Sequence, residues 1–321
     1  ALVGGAALAF IKESMNNRVR TPDDVARWTA MPSLPMIPEI PLANGLGPRL
    51  RLYRGGKNSS RNGNGAEAIA RLPRLLSADA LTPEADAINN LRTSILISRG
   101  DSGKRVLLVV GTSPRTGSTT IAANLAMALA KRGKTCLVDA NLRRPMVSRA
   151  FALAPAVGLC EVLRGDASLE EALAVAPRTS GLSLLLGGRI PVNPLDLLTG
   201  ETMREVMRVL RERFEFVVVD SPPAIPFPDC RFLASISDGV VLVSRSGKTS
   251  RRTLVRSAEI IDEVQAPLLG VVVNGVDVDS ADYRYFTCSN GKDAYPKNGK
   301  RYHPSIAVAA GNGFKAKPNA L

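Results

Sequence analysis

An α/β fold with a doubly wound, mainly parallel sheet is what this sequence predicts, on three observations. Six short apolar runs rich in Val and Leu, at 105–110, 135–139, 182–186, 216–220, 239–244 and 268–273, read as strands covered on both faces. Helical patterns fill the gaps, at about 118–132, 159–163, 168–175, 201–213, 228–236 and 250–264, and such alternation calls for helices on both sides of a parallel sheet. The first run opens onto a glycine-bearing turn and an amphipathic helix, Gly111–Ala126 (GTSPRTGSTTIAANLA), which is the strand–turn–helix setting of a P-loop.

Taken from its start, the chain opens on Ala1, which reads as a piece of a longer protein. Residues 1–11 (ALVGGAALAFI) carry no charge; as a helix they would span ~16 Å, about half a bilayer core. Lys12, Arg18 and Arg20 follow, so residues 1–20 read as the end of a transmembrane helix with its basic cytoplasmic flank. Thr21, Pro22, Asp23 and Asp24 form a helix-start pattern. Prolines at 33, 35, 38 and 41 then forbid more helix, and the Gly, Asn, Arg and Ser of 43–66 read as a flexible linker, so residues 21–80 are expected to join membrane to body. A helix at 83–99 leads into the folded domain, 81–280, and residues 281–321 form a basic tail.

Composition narrows the function. The net charge of +13 divides as +6 over residues 1–75, +2 over 76–280 and +5 over 281–321, a near-neutral body between two basic ends. Basic ends suit an anionic lipid surface or nucleic acid. Aromatic residues make up only 4%, too few for a platform that stacks single strands. Cys136, Cys160, Cys230 and Cys288 form no CxxC pair and His303 stands alone, which argues against zinc and for reduced thiols.

The chemistry gathers at strand ends, where ligands of such sheets bind. Backbone N–H groups at the start of the helix after Gly117, with the helix dipole, favour a phosphate. Ser113, Pro114, Arg115, Thr116, Gly117, Ser118, Thr119 and Thr120 are therefore the expected nucleotide-binding loop, with the Thr119 hydroxyl where a P-loop reaches Mg²⁺. The second strand ends on Asp139 and the fourth on Asp220, candidate ligands of Mg²⁺ or its waters. Asn274, in VVVNGVD, either contacts a nucleotide base or merely ends a strand. Arg143 and Arg144 are candidates for a phosphate anchor or a subunit contact.

These motifs, in this order, resemble the bacterial tyrosine kinase domain of polysaccharide co-polymerases, the Wzz/Wzc-type chain-length proteins. The family loop SxxPGEGKSTxAANLA is matched by Ser113–Ala126, DxDLRRP by Asp139–Pro145, and FDxVIIDSPP by Phe214–Pro223. Further likeness runs through 191–198, 238–249 and 270–277, and upstream through 20–40. The resemblance implies ATP and Mg²⁺ on the loop, and a γ-phosphoryl group passed to a tail tyrosine of a neighbouring subunit. Asp139 and Asp220 would act at the metal or as catalytic groups. It further implies a homo-oligomeric ring with subunit contacts at the positions of Asp86, Asn89 and Arg92. Its partners would be inner-membrane lipid, polysaccharide polymerisation and export proteins, and a tyrosine phosphatase; no nucleic acid is expected. This portion would lie on the cytoplasmic side of the bacterial inner membrane, with a periplasmic domain upstream. Four of the five tyrosines, Tyr283, Tyr285, Tyr295 and Tyr302, sit within 20 residues of tail whose composition does not favour packing, which makes them expected phosphoacceptors.

The chain departs from the pattern at the loop. Ser118 stands where the family has the P-loop lysine, Arg115 and Thr116 replace Gly-Glu, and Asn141 replaces the second Asp of DxD. Two readings follow: a slow kinase in which Arg115 or a lysine from elsewhere supplies the missing charge, or a pseudokinase that binds nucleotide weakly and regulates polysaccharide assembly without turnover. A third, a septum-site or partition-type ATPase, shares the sheet but would carry a lysine where this chain has Ser113, and lacks a tyrosine tail.

Overall fold

The computed structural model describes residues 17–40, 82–98, 105–154 and 157–287. Expectations for 1–16 and 41–81, and for Cys288, Tyr295, Tyr302 and His303, fall outside the described residues. The strands are β1 (Ile37–Pro38), β2 (Arg105–Gly111), β3 (Thr135–Asp139), β4 (Leu173–Val175), β5 (Leu182–Leu185), β6 (Phe216–Asp220), β7 (Gly239–Arg245) and β8 (Leu268–Val276). They form one sheet in the order β1-β8-β7-β2-β6-β3-β5-β4, parallel throughout except where β4 meets β5. All six apolar runs are strands, and the doubly wound parallel architecture stands as expected.

The helices are α1 (Pro22–Thr29), α2 (Pro83–Ser98), α3 (Ser118–Ala130), α4 (Val147–Ala150), α5 (Leu159–Arg164), α6 (Leu169–Ala172), α7 (Pro194–Thr199), α8 (Glu201–Arg213), α9 (Asp229–Ser235), α10 (Arg251–Asp262) and α11 (Ala281–Thr287). They cover the sheet in two layers. Alternate strand residues point to opposite faces. Val106, Leu108 and Val110 of β2, with Val217 and Val219 of β6, join a core shared with α8, α9 and α10. Leu107, Val109 and Val218 join the opposite core, with α2 and α3. This double burial is why the strands read as unbroken apolar runs rather than as alternating ones.

Three expectations are corrected. The helix predicted at 168–175 is a single turn: Ser168 and Glu171 form a capping box, then Leu173 turns extended (ψ 115°) and β4 pairs antiparallel along the free edge of β5. Residues 17–20, expected as the basic flank of a membrane helix, and 21–40, expected as linker with a short helix, are folded onto the body. Val19, Val25 and Ile37 are fully buried, and Ile37–Pro38 pairs with β8. The prolines stop helix formation, yet extended backbone at a sheet edge tolerates them, because the missing N–H faces away from the ladder. The tail, expected not to pack from 281 onward, begins with α11, and Tyr283 is only 6% exposed within the core. Among the described residues no helix is long and apolar enough to cross a membrane.

Candidate active site

The loop between β2 and α3 is held from both sides. At its start, Thr112 N–H donates to Val243 O of β7 (2.9 Å), and Ser257 Oγ of α10 donates to Thr112 O (3.1 Å). At its end, the buried Asn274 of β8 donates its amide to Thr116 O (2.7 Å). Gly117 is the N-cap of α3 in the left-handed region (φ 91°), and a Cβ there would collide with Asn274 Nδ2. Glycine is thus required twice over, by backbone conformation and by the approach of the asparagine. Having no side chain, Gly117 leaves the N–H groups of the first turn of α3 uncapped, and that turn holds no acidic residue. Free N–H groups and the helix dipole at such a turn favour an anion.

Arg115 sits at the apex of the loop, exposed and with φ 69°. The left-handed conformation is natural for the family's glycine and costs an arginine of order 1 kcal/mol. Ser118, partly buried, is the first residue of α3.

Beneath the loop lie two carboxylates. Asp139 ends β3, Asp220 ends β6, and the two are register partners on adjacent strands, both fully buried. Thr119 Oγ1 donates to Asp220 Oδ2 at 2.6 Å. Asp139 Oδ2 accepts from the N–H groups of Met146 (3.1 Å) and Val147 (3.0 Å). The Oδ1 atom of each is buried and has no hydrogen-bond partner, as is Thr116 Oγ1. Burial pushes Asp139 up to about 7 against the pull of its backbone donors. Burial first, then the charge of Asp139, raises Asp220 well above the carboxylate range, while the Thr119 hydroxyl pulls it down. Two unsatisfied, desolvated carboxylate oxygens beside a threonine hydroxyl fit Mg²⁺, which takes one or two protein carboxylates and completes its shell with water and phosphate.

Between an ordinary carboxylate value and about 7 the folded state keeps a proton that the unfolded chain has lost, so stability falls as pH rises through that window. Replacing Asp139 by Asn is therefore expected to stabilise the ligand-free protein by roughly 2–4 kcal/mol above about pH 7, the gain vanishing near pH 4. Chemical denaturation across that range, with Mg²⁺ binding measured in parallel, checks both the stability gain and the expected loss of metal affinity.

Other expected site residues are placed less centrally. Asn141 Oδ1 accepts from Arg144 N–H (3.3 Å), closing its own turn. Arg143 Nε bonds both carboxylate oxygens of the buried Asp229 (3.2 and 3.1 Å), and its guanidinium lies 4.4 Å over the Phe227 ring, so it ties the Asp139 loop to α9. Arg144 is exposed. Asp86 and Asn89 lie partly buried on α2, while Arg92 Nη1 donates to Ala128 O (3.3 Å) near the C-terminal end of α3, a contact within its own chain. Tyr285 is 77% exposed, the reverse of Tyr283. Burial pushes the Tyr283 hydroxyl up to about 12, helped by the charges of Glu84 and Asp86. Sequence reasoning missed Ser257 and Thr249, which brace the loop from α10 and from the turn before it. Nothing in the local pattern singles out such hydroxyls.

Known proteins resemble this chain in sequence and in fold. The tyrosine-protein kinase YwqD of Bacillus subtilis is 33% identical over 204 residues, which are 63% of this chain and 86% of the relative. The tyrosine-protein kinase Etk of Escherichia coli K12 is 25% identical over 238 residues, 74% of this chain but only 32% of that longer protein. Among solved structures, the chimerical protein CapA2B2 superposes with a TM-score of 0.64 at 25% identity, covering 80% of this chain and 100% of the other. No protein-family model matches. With a third of the 204 aligned residues identical across most of the length of YwqD, and with that strand order and loop, the chain belongs to the bacterial tyrosine-protein kinases.

Proposed function

We propose that this chain is a tyrosine autokinase that uses MgATP, modifies tyrosines of its own C-terminal segment on neighbouring copies, and so regulates polysaccharide chain length and export at the bacterial inner membrane. The observation that carries this is the buried Asp139–Asp220 pair, with two unpartnered oxygens, next to Thr119 at the start of α3. The uncapped first turn of α3 binds the phosphates. Thr119 and Asp220 would hold Mg²⁺, which when bound would neutralise charge on the transferred group. The tyrosyl oxygen attacks the γ-phosphorus, the bond to the β–γ bridging oxygen breaks, and the tyrosine proton passes to Asp139. Burial, which raises the Asp139 carboxyl above the ordinary carboxylate range, favours its taking that proton. Arg115 supplies part of the positive charge that Ser118 cannot. The α2 helix, which carries Asp86 and Asn89, would contact a second copy.

The test is phosphotyrosine mapping by mass spectrometry on the full chain, pre-treated with phosphatase and incubated with MgATP, beside Ser118→Lys. Phosphate on Tyr285, Tyr295 or Tyr302 in the natural chain supports the reading. Tyr283 is expected to be labelled least, because its hydroxyl is withheld from any active site while α11 is docked. Phosphate only in Ser118→Lys would make the natural chain a pseudokinase; phosphate in neither would overturn the assignment.

A further inference from the structure

We infer that the turn joining β7 to α10, together with the strand-like segment laid across it, forms a binding surface for anionic lipid headgroups that presents the nucleotide end of the sheet to the membrane. The inference rests on the membrane part of the reading above. Residues 17–19 pair antiparallel with this turn: Val19 N–H donates to Thr249 O (2.9 Å), Gly247 N–H to Val19 O (2.8 Å) and Arg251 N–H to Asn17 O (2.7 Å). The Arg18 guanidinium is fixed above it by Gly247 O (3.4 Å) and Lys248 O (3.1 Å). This brings Arg18, Lys248, Arg251 and Arg252, all exposed, into one small area. Residues 246–258 contain no acid. On the neighbouring segment Asp23 is exposed, and Asp24 is engaged by the N–H groups of Arg20 and Thr21 at the start of α1.

Two features favour lipid over nucleic acid. The uncharged run of residues 1–11 ends six residues before Asn17, a span of at most ~21 Å, so whatever surface receives that run lies close to these cations. Among the described residues, the aromatic ring beside these cations is that of Trp28, and the Arg251 guanidinium stands 5.8 Å from its centroid, on a face that a base would have to share. Orientation follows from the sheet. β7 and β2 are parallel neighbours, so the β7–α10 turn and the phosphate loop share one end, and the Thr112 and Thr249 hydroxyls meet there at 3.5 Å.

The experiment uses the full chain and sedimentation with phosphatidylcholine vesicles made with and without phosphatidylglycerol. A variant carries Lys248→Gln, Arg251→Gln and Arg252→Gln together, with folding checked by its thermal melt. At about fivefold per charge, the variant should lose on the order of a hundredfold in affinity for the anionic vesicles and little for the neutral ones. Added salt should reproduce the loss in the natural chain. Equal binding of natural chain and variant to anionic vesicles would overturn the surface while leaving an anchor in residues 1–11 intact. A natural chain that binds neither vesicle would overturn both this inference and the membrane reading. Duplex DNA bound as tightly as the anionic vesicles at the same salt would overturn lipid as the partner.

Discussion

Ser118→Lys is expected to raise the rate of tyrosine phosphorylation about a hundredfold, because one preorganised charge at a transition state is typically worth ~10²–10³ in rate. The low end of that range applies if Arg115 contributes as proposed. The loop itself needs no rebuilding. Its left-handed Gly117, its clamp to Asn274 and the uncapped first turn of α3 are all in place, and Ser118 is partly exposed, leaving a lysine stem a route out. The two positions should interact. Arg115→Ala is expected to slow the natural chain about tenfold and the Ser118→Lys variant by much less, since a lysine at the helix start would take over the same charge. A double-mutant cycle on single-turnover phosphate transfer measures this directly. Equal effects of Arg115→Ala in both backgrounds would mean that Arg115 never faces the phosphates, and its strained φ of 69° would then have only a structural cause.

The second large effect is expected far from the phosphates, at Ile37. Its side chain is fully buried, and its register partner in β8 is Asn274, the residue that holds Thr116. Ile37→Ala removes most of a large side chain from a packed core, at a cost of about 2–5 kcal/mol. For a domain of this size that corresponds to a fall in melting temperature of roughly 10 °C. Because β1 and Asn274 share one ladder, the loss should reach the site: nucleotide affinity is expected to fall more than for an equally destabilising change in the opposite layer, such as Leu163→Ala on α5. Calorimetric melts with and without nucleotide separate the two. A similar fall in affinity for both variants would mean that the N-terminal segment only adds stability. The same geometry says where a fragment should begin. One starting beyond residue 40 would strip Leu34, Met36 and Ile37 from the edge of β8 and is expected to aggregate.

How much of this could be read from the chain varies with where the information sits. Val217–Val219 announces a strand because both of its faces are covered, so every position is apolar. Asp139 and Asp220 are legible because a charge closing such a run has few structural uses, and the structure sets them side by side. The role of Asn274 is not legible. It depends on β8 standing two strands from β2 and on a loop that bends over to meet the amide, neither of which is local. β4 is hidden because three residues following one helical turn look like more helix until β5 offers an edge. Residues 32–39 are hidden because their prolines suit a linker as well as an edge strand, and the buried neighbours of β8 decide between the two. Tyr283 and Tyr285 look alike in sequence. Only the docking of α11 makes one buried and the other exposed.

The two short outer strands have a consequence for how copies of this chain can meet. β1 is two residues long and ends in Pro38, which has no N–H to offer, and β4 is three residues long and runs against the direction of the rest. Neither presents a backbone row long enough to extend a sheet from one molecule into the next. Among the described residues, contact between copies is therefore left to side chains on helices and loops, and contacts of that kind separate without unzipping any shared backbone. Assembly built in this way can be made and undone repeatedly while each subunit keeps its fold.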